Sequence, residues 1–324
     1  MKRLIDVLIK VDLYGGIKLE EIIKSMLENS RQHTIGGNVA SYIPELMKSD
    51  PSKLGLTLIS CEGKRVSAGD CNVKFTIQSV SKPLVLMLAL MKYGEERVFS
   101  KVGTEPTGDP FNSLIRLETF TEWKKPFNPM INAGAIAITS LFEGKDNEEK
   151  LKMVLDFIRE LTGNANIDIN EQVYLSEKRT GHKNRAMAYY LKDLGVIEGD
   201  PEEVVDLYFK HCSIEATTED LANIALVLAC GGKCIKTGKV LIPKRICRIV
   251  NTLMTTCGMY DESGEFAVNV GFPSKSGVGG GILSVVPGKM GIAVYGPALD
   301  KKGNSCAGVK LLESISDEFD LSIF

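Results

Sequence analysis

The stretch Phe75-Thr-Ile-Gln-Ser79-Val-Ser-Lys82-Pro83-Leu-Val-Leu-Met-Leu-Ala-Leu-Met91 sets a polar pair immediately before an apolar run. Pro83 has no backbone N–H, and a helix's first turn is where that donor is orphaned anyway. The stretch therefore predicts a helix that starts at or just after Ser79 and ends near Gly94. It has no polar face until Lys92, so it belongs in a core. The run is far shorter than the roughly 20 residues that cross a bilayer. Residues three apart share a helix face, which puts the Ser79 hydroxyl beside the Lys82 amine. This is the only Ser-x-x-Lys in the chain. Such a pair suits a serine acyltransferase or hydrolase that needs neither histidine nor metal. The N–H groups at a helix start favour negative charge, as an oxyanion forming there requires. Serine is also a common helix cap, so the pair needs support from the rest of the chain.

Upstream, Leu19 to His33 carries Ile22, Ile23, Met26 and Leu27 at helical spacing. Gly55–Cys61 and Arg65–Asp70, joined by Glu-Gly-Lys, read as a β-hairpin. Downstream, residues 83–251 are mostly helical. Leu151–Leu161, Arg185–Leu194, Pro201–Cys212 and Thr217–Cys230 show helical periodicity, and Thr217-Thr-Glu-Asp220 resembles a capped helix start. Lys239–Pro243 reads as a link into another helix. Strands return near the C-terminus. Phe266–Gly271 reads as one strand, Gly281–Pro287 and Met290–Tyr295 as a second hairpin, and Cys306–Phe319 as a closing helix. The simplest packing is an α+β fold: one antiparallel sheet from both chain ends, flanked by terminal helices, with a helical part alongside. Residues 1–80 and 252–324 form the sheet-containing part and 81–251 the helical part, with the active site between them.

The 324-residue chain is 44% hydrophobic and 25% charged, with a formal net charge of −2, an ordinary globular composition. No basic or acidic block suggests nucleic acid or an anionic membrane. The opening Met1–Lys10 is interrupted by Asp6 and reads as a short helix or strand, not a signal peptide. Eight scattered cysteines in a chain of this size read as reduced thiols of a cytoplasmic protein. Cys230-Gly-Gly-Lys-Cys234 lacks a second pair at zinc-like spacing, and His33, His182 and His211 are isolated, so no metal is expected.

Pro273-Ser-Lys275-Ser276-Gly277-Val278-Gly-Gly-Gly-Ile282 adds a Lys-Ser-Gly in strand context. Lys-[Ser/Thr]-Gly accompanies Ser-x-x-Lys in the penicillin-recognising serine enzymes. Lys236-Thr237-Gly238 also fits the pattern but sits in a loop between helices. Ser-Asp-Asn and Tyr-x-Asn, found in those drug-hydrolysing enzymes, are absent. A different ordered set is present: Ser41-Tyr42-Ile-Pro-Glu-Leu46, Gln78-Ser79-Val-Ser-Lys82-Pro83, Asn128-Pro-Met-Ile-Asn132-Ala-Gly-Ala135, Ser176-Glu177 through Asn184, Tyr208-Phe-Lys-His-Cys-Ser213, Gly258-Met-Tyr260-Asp and Lys275-Ser-Gly-Val278.

Together these motifs resemble the serine-dependent glutaminases, over about residues 20–320, with their β-lactamase/transpeptidase-like fold. The resemblance implies hydrolysis of L-glutamine to L-glutamate and ammonia, without a cofactor, in a homo-oligomer, commonly a tetramer. It implies Ser79 as nucleophile, Lys82 as its base, and Tyr260, with Tyr42, in proton transfer to the leaving ammonia. It places Asn132, Glu177, Asn184, Tyr208 and Tyr260 around glutamine, and the Val278 N–H with that of Ser79 in the oxyanion hole. The chemistry is coherent. A lysine of ordinary pKa, about 10.4, must drop by about 3 units, at roughly 4 kcal/mol, to act as a base near neutrality. Burial, or a second cation such as Lys275, can supply that. A carboxylate such as Glu177 suits the substrate's ammonium, and amides and phenols suit its carboxylate.

Overall fold

Three strands of the sheet are hydrophobic on both faces, and the packing explains why. The computed structural model describes residues 19–108, 113 and 124–324; the Met1–Lys10 stretch lies outside them. Strands β1 (Gly55–Ser60), β2 (Arg65–Gly69), β5 (Ser274–Ser276), β6 (Gly281–Val286) and β7 (Met290–Tyr295) form one antiparallel sheet in the order β2-β1-β7-β6-β5. The N-terminal hairpin thus pairs with the C-terminal one through β1 and β7, with Leu58 opposite Ile292.

Side chains alternate between two cores, as the period of a strand requires. Leu56, Leu58, Ile282, Ile292 and Val294 face the Leu19–Arg31 and Cys306–Phe319 helices, meeting Ile23, Leu27, Leu311 and Ile315. Ile59, Leu283, Val285, Ala293 and Tyr295 face the larger core, which contains Leu221, Ala222 and Ala225 of the Thr218–Ala229 helix. Burial on both sides makes β6 and β7 read as continuous apolar runs rather than alternating ones. Thr217 and Asp220 close a capping box at that helix's start, a device worth about 1 kcal/mol. Gly291 lets the helix approach β7: a Cβ there would lie 2.3 Å from the Leu226 backbone nitrogen.

The remaining helices, among them Asn132–Thr139, Asn147–Thr162, Glu171–Thr180, His182–Asp193 and Pro201–Cys212, lie between the two hairpins in sequence. Two expectations need correction. Phe266–Gly271 is not a strand; Ser263–Asn269 is helical. Phe266 and Val270 are buried while Val268 is 85% exposed. Burial at i and i+4 is a helical pattern, whereas a half-buried strand would hide all three. The helix that starts at Ser81 runs to Lys101, with a sharp break at Gly94, where φ is +79°. Gly94 interrupts the helix because it can adopt that backbone angle, and a second segment continues beyond it.

Candidate active site

Ser79 sits in a tight turn wedged between strands. β3 (Phe75–Thr76) pairs with β4 (Glu215–Ala216), and the Ile77 N–H donates to the Ile214 carbonyl at 2.8 Å. A single 3₁₀ turn, Gln78–Val80, then feeds the helix starting at Ser81. Gln78 holds φ at +48°, a left-handed conformation that non-glycine residues rarely adopt. Directly opposite, the chain leaving β5 comes so close that a Cβ on Gly277 would lie 2.5 Å from the Ile77 carbonyl oxygen. Gly279 is equally close to Thr76. The glycines after Lys275 are therefore what lets this strand end reach the serine.

Lys82, the second residue of that helix, is 3% exposed. Its ammonium donates to Asn132 Oδ1 at 2.7 Å and to the Met130 carbonyl at 3.1 Å. Asn132 Nδ2 in turn donates to Asn184 Oδ1 at 3.0 Å. The Asn128 side chain shapes the turn that delivers Asn132, accepting from the Met130 and Ile131 amides. Burial lowers the Lys82 pKa to about 8, against opposing pulls from Cys212 and Glu177.

Glu177 lies on the Glu171–Thr180 helix and is 4% exposed. Burial raises its pKa to about 8, with Lys82 drawing it down. Among the described residues its Oε2 has no hydrogen-bond partner. A buried carboxylate oxygen left this way is costly. Tyr208 and Tyr42 surround it. Burial raises both phenols' pKa values, with further contributions from Cys212 and Glu177 at Tyr208 and from Glu177 and Tyr260 at Tyr42. Tyr42 leaves 54% of its surface exposed and so stands at the rim of this group. The Glu45 amide donates to Ser176 Oγ at 3.2 Å and fixes this loop to the Glu177 helix.

Tyr260 completes the group. Its φ is +56°, and its ring packs with Ile43, Leu46, Val173 and Val278. Burial raises its pKa, and the nearby Ser79 side chain and Val278 backbone amide draw it down. The Lys275 ammonium lies 4.4 Å from the Tyr260 ring centroid and donates to the Gly258 and Ser276 carbonyls at 3.0 and 2.5 Å. Burial, with repulsion from Lys82, lowers the Lys275 pKa well below its ordinary value. Non-glycine residues with left-handed backbone are Gln78, Tyr260 and Asp320 among the described residues; the first two meet at Ser79.

The sequence model of the glutaminase family matches residues 37–324. The chain belongs to the glutaminase family. Glutaminase 2 of Clostridium perfringens is 53% identical over 306 residues, which are 94% of this chain and 100% of that protein. A crystal structure of Bacillus glutaminase in 4.3 M NaCl superposes with a TM-score of 0.88 at 41% identity, covering 95% of this chain and 100% of that one. The probable glutaminase from Bacillus subtilis complexed with 6-diazo-5-oxo-L-norleucine gives 0.88 at 40% identity, covering 95% and 97%. The enzyme is accordingly an amidohydrolase of the glutaminase type, with the β-lactamase-like fold.

Two features of this glutaminase were not singled out from sequence. Cys212 is buried; burial and Glu177 raise its pKa, while Lys82, Tyr208 and Ser81 draw it down. It stands four residues after Tyr208 on one helix, so their shared face was available as a signal. His211, 1% exposed, lines a small cavity with Ser81, Lys82, Thr139 and Tyr208. Among the described residues neither ring nitrogen has a hydrogen-bond partner, and burial lowers its pKa to about 3. Its isolation in sequence gave no hint of this. The folded state holds His211 neutral while the unfolded chain takes up a proton below about 6.5. Its contribution is therefore intact above that pH and is lost as pH falls towards 3, by up to about 1.4 kcal/mol per unit. Denaturant melts of wild type and His211→Leu between pH 7 and 4 should show a steeper acid loss in wild type; parallel curves would sink this account.

Proposed function

We propose that this enzyme hydrolyses L-glutamine to L-glutamate and ammonia through an acyl-serine on Ser79. The observation that carries the reading is the union of two features in one buried pocket: the Ser79–Tyr260 hydroxyl pair and the unpartnered Glu177 carboxylate oxygen. The first suits attack on an amide, the second a substrate bearing a free ammonium. In this reading Lys82 removes the Ser79 proton, Ser79 attacks the side-chain amide, and the backbone amides of Ser79 and Val278 receive the oxyanion. Tyr260, with Tyr42 at the rim, passes a proton to departing ammonia, and water then releases glutamate. Asn132, Asn184 and Tyr208 hold the substrate's polar groups. The Bacillus complex supports the choice of ligand, since 6-diazo-5-oxo-L-norleucine is a diazoketone whose diazomethyl carbon stands where glutamine carries its amide nitrogen.

Substrate binding also primes the base in this scheme. Glu177 favours the charged form of Lys82. An ammonium seated against Glu177 offsets that pull, and Lys82 loses its proton more readily. The proposal also places residues 1–80 and 252–324 as one part, 81–251 as a helical part and the pocket between them. We further read the enzyme as a cytoplasmic homo-oligomer; among the described residues no helix is long and apolar enough to cross a membrane.

Ammonia release from L-glutamine by the purified chain tests the reading, and absence of turnover across pH 6–9 would overturn it. Glu177→Gln tests the ammonium site. It should lower kcat/KM roughly 10²–10³-fold, mainly through KM, because the substrate's buried cation loses its charged partner. The same variant should be more stable than wild type above neutrality. The folded-state pKa of Glu177 is raised from 4.5 to about 8, so ionisation disfavours folding increasingly across that interval. An unchanged KM would remove Glu177 from the substrate.

A further inference from the structure

We propose that Cys61 and Cys230 are a modification site: a hydroperoxide converts this thiol pair into a reversible disulfide that ties β1 to the helix covering the sheet. Their sulfur atoms lie 2.7 Å apart although 169 residues separate them in sequence. Both are free thiols and both are partly exposed, so a small oxidant reaches them. The backbones beside them are fixed by one tight turn between β6 and β7. The Cys61 amide donates to the Lys289 carbonyl at 2.8 Å, and the Gly288 amide donates to the Ala229 carbonyl at 2.8 Å. Closing the bond therefore asks for side-chain rotation and leaves those backbone hydrogen bonds in place.

The two thiols are not equivalent. The hydrogen bond between them favours the thiolate at Cys230 and disfavours it at Cys61. Cys230 is thus the attacking sulfur. Its thiolate attacks a peroxide oxygen, the O–O bond breaks, and a sulfenic acid and water (after protonation) result. The Cys61 sulfur then attacks the Cys230 sulfur, its proton leaves with the sulfenic hydroxyl as a second water, and the S–S bond forms. Two thiols are oxidised by two electrons and one peroxide is reduced to two waters. A dithiol reductant reverses the step.

Strand register places the pair away from the candidate active site. Gly281, packed on Phe75, pairs with Tyr295 at one end of β7, whereas Ser60 and Val286 pair with Met290 at the other. The bond is thus expected to change stability and leave turnover within twofold. Cross-linking positions so far apart in sequence restricts the unfolded chain strongly.

The test treats the reduced full-length enzyme with a small excess of hydrogen peroxide, blocks remaining thiols by alkylation, and maps cross-linked peptides by mass spectrometry. The expected result is a Cys61–Cys230 peptide pair, loss of two of the eight thiols, and a Tm rise of about 3–10 °C that dithiothreitol reverses. Cys61→Ser and Cys230→Ser should each abolish both the cross-link and the shift. A bond from Cys230 to its sequence neighbour Cys234, a sulfinic acid on Cys230 without a cross-link, or eight thiols still open to alkylation would each overturn the proposal. A cross-link that leaves Tm unmoved would overturn its stabilising role. The wild-type peptide map decides the pairing even if a serine variant folds poorly.

Discussion

Ser79→Ala is expected to cut kcat/KM for L-glutamine by ~10⁴-fold or more while the fold survives. Ser79 is 6% exposed and lies close enough to the Tyr260 hydroxyl to lower its pKa. Removing one hydroxyl therefore leaves a small void and one polar neighbour fewer, about 1–2 kcal/mol of stability. Catalysis loses much more, because the acyl intermediate has nowhere to form. Lys82, Tyr260 and the two backbone amides remain, so binding should change little and the loss should fall on kcat. A second readout isolates the covalent step. Wild type incubated with 6-diazo-5-oxo-L-norleucine should gain the mass of one adduct, mapped to the peptide containing Ser79, and the variant should gain none. A variant with activity within tenfold of wild type would remove Ser79 from the chemistry.

Lys82→Met is expected to cost ~10³–10⁴-fold in kcat/KM and to erase the acid limb of the kcat profile, where bound substrate already holds Glu177 ionised. In wild type the base must be neutral to act. With a pKa of about 8, roughly a tenth of the free enzyme is competent at pH 7. The rate constant kcat should then climb about tenfold per pH unit on its acid limb and level off above it, while kcat/KM climbs more steeply below 8, because Glu177, raised to about 8, must also be ionised to hold the substrate's ammonium. Glu177, Cys212 and Lys275 are the other titratable groups coupled to this amine; Cys212 has its pKa raised by burial, and Lys275 has its pKa lowered by burial. If a substrate ammonium offsets Glu177, the limb in kcat should lie at lower pH than the limb in kcat/KM. Methionine keeps most of the buried volume but leaves Asn132 Oδ1 and the Met130 carbonyl without the lysine's hydrogens, so a modest loss of stability should accompany the loss of rate. Survival of an unchanged kcat limb in the variant would assign it to another group.

Much of the architecture was legible in the chain itself. Gly-Lys between Pro287 and Met290 marked a hairpin, and Thr217-Thr-Glu-Asp220 marked a helix start. The closing Cys306–Phe319 helix has the bounds its periodicity predicts. The failures were local. Phe266-Ala-Val-Asn-Val alternates closely enough to read as a strand, and only the neighbours that cover Phe266 and Val270 but not Val268 reveal the helix. Of the residues singled out for the pocket, Ser79, Lys82 and Tyr260 stood in recognisable patterns. Asn132, Glu177, Asn184 and Tyr208 were visible only as members of an ordered set, because a lone amide, acid or phenol on a helix has many ordinary roles.

Sequence alone determined most of the segments that become strands and helices, and set a hydroxyl and an amine three residues apart at the entry to a buried helix. Backbone sterics and side-chain period act over a few residues, so a short stretch is enough to fix them. The states of the groups were decided only by tertiary packing. Lys82 is brought near neutrality by the walls that desolvate it, Glu177 is left with an unpartnered oxygen by helices joined far from it in sequence, and the backbone at Gln78 and Tyr260 is held left-handed at the point where they converge. Desolvation and close approach depend on everything that surrounds a group, and that surrounding exists only once the chain has folded.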